Sequence, residues 1–471
     1  MRKNKGKRLK LLALSVICAV SSLGLSHVTA DAAVYWPEGP ETESPCVIVM
    51  EEETGTVLYE KMADEQHYPA SITKIMTALL ALENSTMDEI VTFSEDAVYK
   101  TEGSGIWRDI GEQMTMEQCL YALMLNSANE CAYAIAEHVS GSMEKFVDMM
   151  NERAKELGCK NTHFANPHGL TDPKHYTCCR DMALIAREAY KNENFRIITG
   201  TARYQIPPTN KHDEITYLQN HNEMLHPYKS WEYQYEYCTG GKTGWTEAAN
   251  STLVTYAEKN GMKLVCVVMN TISPAQWKDS INLYNYYFDN FQVMNVAENE
   301  RRYDEEIKNA GALNINADYV KLDRDGIIVI PKTAEFEEAE PEIIYDNLNE
   351  YVVARLSYTF AERVVGGADI VRTGAKIETF QFKSSVSQTE TENMLSEENQ
   401  KKFKLDIKKV LLIVLGVIAA AVLIFLLKEF ADNFYIIKHR YFDREKLFRG
   451  KKYRTIKDTR KYRHRRRWRR R

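Results

Sequence analysis

The chain has 471 residues, 44% of them hydrophobic and 27% charged, with a net charge of −5. That length excludes a single small domain, since it exceeds what one hydrophobic core usually serves. The charge divides into +6 on the first ten residues, +14 on residues 428–471 and −25 on the rest, and so acidic a central part excludes nucleic-acid binding there.

The N-terminus reads as a secretory leader. "MRKNKGKRLK" is basic, "LLALSVICAVSSLGL" is a short apolar run, and "SHVTADAA" carries small residues two apart. Cleavage is expected after Ala30 or Ala32, so residues 1–32 are the signal peptide and Cys18 leaves with them. Eight cysteines remain: Cys46, Cys119, Cys131, Cys159, Cys178, Cys179, Cys238 and Cys266. Export permits disulfides. Settings such as "KLVCVVMN" and "EQCLYALML", however, suit buried thiols acting as small hydrophobes. No C-x-x-C pair or zinc spacing occurs.

Residues 33–294 read as mixed helix and strand. "CVIVMEEETGTVLYEK" is a hairpin around "ETG". "PASITKIMTALLALE", residues 69–83, heads an apolar helix. Residues 116–139 have helical apolar spacing broken at "NSAN", and "SMEKFVDMMNERAKELG" is an amphipathic helix stopped by Gly158. "STLVTYAEKNGMKLVCVVMN" is two strands joined at Asn260-Gly261, a strong hairpin signal. "AQWKDSINLYNYYFDNF" is a closing helix. Strands at both ends with helices between predict an antiparallel sheet covered by helices.

Residues 295–382 change texture. "ADYVKLDRDGIIVIP" and "YVVARLSYTF" predict a small β-rich domain. Residues 383–409 are a polar tether. "VLLIVLGVIAAAVLIFLL", residues 410–427, is uncharged and spans about 27 Å as a helix, near the hydrocarbon thickness. Lys408, Lys409 and Lys428 bracket it, and the tail from 428 to 471 ends "KYRHRRRWRRR". The basic flank belongs in the cytoplasm. The expected topology is a cell-membrane protein with one span and the bulk on the extracytoplasmic face. The basic tail also suits anionic lipid.

Three motifs carry the chemistry. Ser71 and Lys74 form S-x-x-K. Positions i and i+3 share a helix face, and apolar surroundings lower a lysine pKa, letting it serve as a base. The plainer reading is a helix-capping Ser71 and a solvated Lys74. Ser127, Ala128 and Asn129 form S-x-N at a helix break, although Ser127 with Glu130 also fits a capping box. Lys242, Thr243 and Gly244 form K-T-G, with Lys242 and Gly244 on one strand face, Thr243 on the other and room beside the glycine for a ligand backbone. Here the plainer reading is a tight turn with a surface lysine. A second R-T-G at Arg372, Thr373 and Gly374 lies in the β-rich region without serine partners and reads as structural.

S-x-x-K, S-x-N and K-T-G in this order resemble the penicillin-binding proteins and serine β-lactamases. "GSGIWRDIGEQMT", "LMLNSANECAYAIAEHVSGS", "FVDMMNERAKELGCKNTHFANPHGL" and "GGKTGWTEAANSTLV" are similar to the low-molecular-mass D-alanyl-D-alanine carboxypeptidases. This likeness covers roughly residues 40–290. It implies an α/β (α+β) fold of the serine β-lactamase/transpeptidase type: a helix-flanked antiparallel sheet, a small all-β domain and a C-terminal membrane attachment. It implies Ser71 as nucleophile, Lys74 as its base and Ser127 as proton relay to the leaving amine. Asn129 would hold the substrate's peptide carbonyl, and Lys242 and Thr243 its terminal carboxylate. The backbone N–H groups of Ser71 and Trp245 would form the oxyanion hole.

The chain departs from the family at Ala128, where glycine is more usual, and Trp245 sets a large ring at the cleft edge. The implied substrate is a peptidoglycan stem peptide ending in D-Ala-D-Ala, with β-lactam antibiotics acylating the same serine and no cofactor. His163, His168 and His175 in "THFANPHGLTDPKHY" invite a metal, but this chemistry needs none. The rival readings are a β-lactamase, a D,D-endopeptidase and a penicillin-binding sensor signalling through the span. No E-x-x-x-N loop of the class A type supports the first of these.

Overall fold

The computed structural model describes residues 35–302, 320–345 and 351–373. The expected leader, tether, span and basic tail lie outside the described residues. No helix among the described residues is long and apolar enough to cross a membrane.

The chain opens with the hairpin β1 (Cys46–Glu51) and β2 (Val57–Lys61), turned at Gly55, whose φ is +76°. Helix α1 (Lys74–Asn84) follows a short 3-10 turn at Ala70–Thr73. Then come β3 (Ile90–Thr92), α2 (Glu95–Tyr99), β4 (Gln113–Thr115), α3 (Met116–Leu125), α4 (Asn129–Ser140), α5 (Met143–Glu156), α6 (Cys179–Tyr190) and α7 (Glu193–Gly200). The pair β5 (Arg203–Ile206) and β6 (Thr216–Gln219) precedes three long strands, β7 (Cys238–Thr246), β8 (Asn250–Lys259) and β9 (Met262–Thr271). Helix α8 (Ala275–Asn290) follows them. Asn260 and Gly261 join β8 to β9 with φ of +53° and +79°, the left-handed pair that a two-residue hairpin turn needs.

The main sheet runs β2-β1-β9-β8-β7, antiparallel throughout. Every residue of β1 is buried. From Cys46 to Met50 the strand reads as a continuous apolar run because both sheet faces are covered. Cys46, Ile48 and Met50 pack with α1, α3, α4 and α6 on one face. Val47 and Val49 pack with Trp277, Leu283, Tyr284 and Tyr287 of α8 on the other. Helix α1 is buried from Lys74 to Ala81, as expected of a helix apolar on all sides. It crosses the core and delivers Ser71 and Lys74 to the edge of the sheet beside β7.

Strand β10 (Phe291–Asn295) leads, through the short α9 (Val296–Asn299), to β11 (Val320–Leu322), β12 (Ile327–Pro331), β13 (Glu340–Ile344), β14 (Val352–Phe360) and β15 (Arg363–Arg372). They form a second sheet in the order β10-β12-β15-β14-β13, with β11 on β15. Ile328, Ile330, Leu356, Tyr358 and Val365 fill its own core. Arg372 of the second R-T-G ends β15 here, where its backbone N–H is bonded to the Tyr351 carbonyl.

Seven of the eight described cysteines are buried, Cys159 is half-buried, and all are free.

Candidate active site

Ser71 caps nothing. It sits inside the 3-10 turn, and neither cap of this segment makes a side-chain bond. Its Oγ lies 3.0 Å from Lys74 Nζ. Lys74 is 0% exposed rather than solvated. Its Nζ also donates to Asn129 Oδ1 at 2.7 Å and to the His168 carbonyl at 2.5 Å. Burial, and then the positive charge of Lys242, holds this amine well below the ordinary lysine value.

Asn129 is fixed at both ends of its amide. Oδ1 accepts from Lys74, and Nδ2 donates to the Glu102 carbonyl at 2.5 Å. The structure therefore gives Asn129 a second task, holding Lys74, beside any contact with substrate.

The capping box that the Ser127–Glu130 spacing fits does not form. Ala128 is the N-cap of α4 and makes no side-chain bond, while the Glu130 carboxylate accepts from the N–H groups of Ile106 and Trp107 at 2.5 and 2.8 Å. Ser127 itself takes the left-handed conformation at φ +59°. Its buried Oγ has no partner among the described residues. Ala128 stands at φ −60°, so alanine is unstrained at the position where the family more often has glycine, and the unusual backbone falls on the serine. Left-handed non-glycine residues of this kind gather at functional sites, and Ala70, just before Ser71, is a second case at φ +51°.

K-T-G runs along β7. Lys242 and Gly244 face inward and Thr243 outward, in the strand's alternation. Lys242 is 1% exposed, so the surface-lysine reading fails. Its Nζ donates to the Thr243 carbonyl at 2.9 Å, and burial pushes its pKa down to about 7. At Gly244 the close approach comes from the protein, not from open space. A Cβ there would stand 2.4 Å from Thr252 Oγ1 and 2.8 Å from Ser71 N. Glycine thus lets β7 lie against the turn that carries Ser71. Thr252 Oγ1 completes the seam by donating to the Pro69 carbonyl at 2.8 Å.

A cavity of about 590 Å³ opens over this seam, lined by Ser71, Ser127, Thr243, Trp245, Glu223 and Lys229 among others. Lys74, Asn129 and Lys242 stand behind that lining. Trp245 is 68% exposed at the rim.

Sequence reasoning missed several neighbours. At His168 it is the backbone carbonyl, not the imidazole, that holds Lys74. His175 Nδ1 accepts from Ala165 N–H, so its Nε2 carries the proton toward Thr73 Oγ1 at 2.8 Å, and Thr73 donates to the Ala70 carbonyl. Burial holds both imidazoles down to about 3, hence neutral at working pH. His163 bonds the Lys174 carbonyl instead, and among the described residues the three histidines form no shared donor cluster. Gly169, at φ +87°, is needed because a Cβ would fall 1.9 Å from the Ala70 carbonyl. Glu223 is 8% exposed and lines the cavity. No motif signalled it.

Residues 33–273 match the family model described as Peptidase_S11, D-alanyl-D-alanine carboxypeptidase. The chain is 38% identical over 239 residues to the D-alanyl-D-alanine carboxypeptidase DacF of Bacillus subtilis (strain 168), an alignment covering 50% of this chain and 59% of that protein. It is 34% identical over 250 residues to the D-alanyl-D-alanine carboxypeptidase of Streptomyces sp. (strain K15), covering 50% of this chain and 84% of that one. The crystal structure of the D-alanyl-D-alanine carboxypeptidase DacD from Francisella tularensis superposes with a TM-score of 0.54 at 23% identity, covering 74% of this chain and 97% of that chain. The last of these is a likeness of fold.

Proposed function

The chain belongs to the D-alanyl-D-alanine carboxypeptidase family, and on that premise we propose that it removes the terminal D-alanine of peptidoglycan stem peptides through a Ser71 acyl-enzyme. The observation that carries this reading is the set of partners around Lys74. A neutral amine has two hydrogens and one lone pair. Asn129 Oδ1 and the His168 carbonyl only accept, so they take both hydrogens. The lone pair is left for the Ser71 hydroxyl at 3.0 Å.

In the first step the Ser71 Oγ–carbon bond forms and the hydroxyl proton passes to Lys74. The carbonyl oxygen gains charge before the backbone N–H groups of Ser71 and Trp245. Collapse breaks the carbon–nitrogen bond, Ser127 relays a proton to the leaving amine, and D-alanine departs. Water then attacks the ester, the Oγ–carbon bond breaks, and Ser71 recovers its proton. A β-lactam acylates Ser71 by the same attack on its ring amide.

Lys242 and Thr243 receive the substrate's terminal carboxylate. The deciding experiment compares D-alanine release from a peptide ending in free D-Ala-D-Ala with turnover of the C-terminally amidated peptide, in wild type and Lys242→Gln. A charge-assisted bond of about 1.5–3 kcal/mol corresponds to a loss of roughly tenfold to a hundredfold or more on the free carboxylate, with little further loss on the amide. Lys242 loses its proton as pH rises through about 7. Wild-type kcat/KM on the free carboxylate should therefore fall on the alkaline side of that value, and this limb should be missing for the amide. Equal proportional losses on the two peptides would remove carboxylate binding from Lys242, and no D-alanine release by the wild type would refute the function.

We further place the catalytic domain outside the cytoplasmic membrane, anchored by residues 410–427, with the tail on anionic lipid. The basic leader, the uncharged run and the +14 tail support this. A chain ending at residue 409 should pass from the membrane fraction to the medium, whereas its retention would refute the span.

A further inference from the structure

Away from the catalytic cavity, we propose that Cys46, His67 and Glu65 form a zinc site that staples the segment leading to Ser71 onto β1. Cys46 Sγ lies 3.1 Å from His67 Nε2, and that nitrogen lies 3.4 Å from Glu65 Oε1. All three donor atoms fall within 4.8 Å of one another. Tetrahedral zinc, with Zn–S near 2.3 Å and Zn–N and Zn–O near 2.0–2.2 Å, sets donor separations of roughly 3.3–3.6 Å. The nitrogen–oxygen separation already fits. The sulfur–nitrogen one must open by a few tenths of an ångström. Only the carboxylate has further to travel, and the Glu65 side chain is 45% exposed and free to swing.

The backbone under these donors is held on three sides. Cys46 is paired with Met269 across β1 and β9. His67 exchanges two backbone bonds with Thr177, at 2.8 and 3.0 Å. Asp64, next to Glu65, is ion-paired with Arg180 at 2.8 Å. Lys61, a nearby cation, is turned to other partners, its Nζ donating to the Thr42 carbonyl, Thr42 Oγ1 and the Ser44 carbonyl. Cys46 closes the bottom of the site at 1% exposure, and solvent reaches it from the Glu65 side, where water completes the coordination.

Thiolate and imidazole donors select zinc over magnesium or calcium. Binding forms one bond each from sulfur, nitrogen and oxygen, and the thiol proton leaves to solvent. Thiolate and carboxylate together neutralise the ion, so the occupied site carries no net charge in a half-buried place. His67 stands four residues before Ser71. The site is structural: its donors do not line the catalytic cavity.

The test uses the full chain in detergent, stripped with a chelator and titrated with cobalt(II) and then zinc. The wild type should develop a sulfur-to-cobalt charge-transfer band, saturate with one equivalent and lose the band to zinc. Its thermal midpoint should rise with zinc. Cys46→Ala should lack the band and the rise, with unaltered circular dichroism. Glu65→Gln, a change at the surface that leaves the core untouched, and His67→Ala should each weaken cobalt binding by about tenfold or more. A band that persists in Cys46→Ala, or cobalt affinity unaltered in Glu65→Gln and His67→Ala, would overturn the site.

Discussion

Ser71→Ala should abolish both D-alanine release and covalent labelling by penicillin. The loss of turnover expected for a missing nucleophile is on the order of 10⁶. The residual rate should be the same with and without a β-lactam, because no acyl-enzyme can form. Stability should change little. The Ser71 Oγ makes one side-chain contact, to Lys74, and that amine keeps Asn129 Oδ1 and the His168 carbonyl. A thermal midpoint near that of the wild type would show that the loss is chemical. Normal labelling of the variant, read by mass spectrometry of the intact chain, would send the search to another nucleophile.

Lys74→Arg should fail nearly as badly although it keeps the charge. Arginine cannot be deprotonated in a protein, and loss of general-base catalysis costs typically 10²–10⁴-fold. The wild-type environment favours the neutral form. Desolvation is the largest cause, Lys242 adds repulsion, and only Glu130 and Cys131 pull the other way. The sign of the pH effect follows. Acid protonates the amine, so the wild-type kcat/KM should fall toward low pH. In Lys74→Arg that acid limb should vanish, leaving a low, flat rate. A variant with the wild-type rate and profile would make Lys74 an electrostatic residue only. The fixed partners explain why the longer, planar guanidinium cannot simply substitute: Lys74 has no solvent exposure, and its two carbonyl acceptors are set for a single nitrogen.

Much of this was legible from local pattern. The Asn260-Gly261 turn, the helix break at "NSAN" and the alternation of Lys242, Thr243 and Gly244 are properties of a few adjacent residues, and backbone geometry obeys them directly. The plain readings that failed also rested on local pattern. Ser127 and Glu130 have capping-box spacing, yet Glu130 is taken by the N–H groups of Ile106 and Trp107, more than twenty residues earlier in the chain. Lys242 looked like a surface side chain because a strand in isolation does not reveal what covers it.

By itself, the sequence determined the type of the elements and the identity of the motif residues, because helical and strand periodicity and turn chemistry are short-range. It also determined the acidic centre and basic ends, which are sums over residues. Only the tertiary structure decided what each group touches. It placed the His168 carbonyl on Lys74, used Gly244 to admit the Ser71 backbone, set Glu223 in the cavity wall and brought Cys46 to His67 across twenty-one residues. Burial lowers both lysine pKa values and the charge of Lys242 adds to the effect at Lys74, and both causes exist only once the sheet, α1 and the loop around His168 have closed on one another.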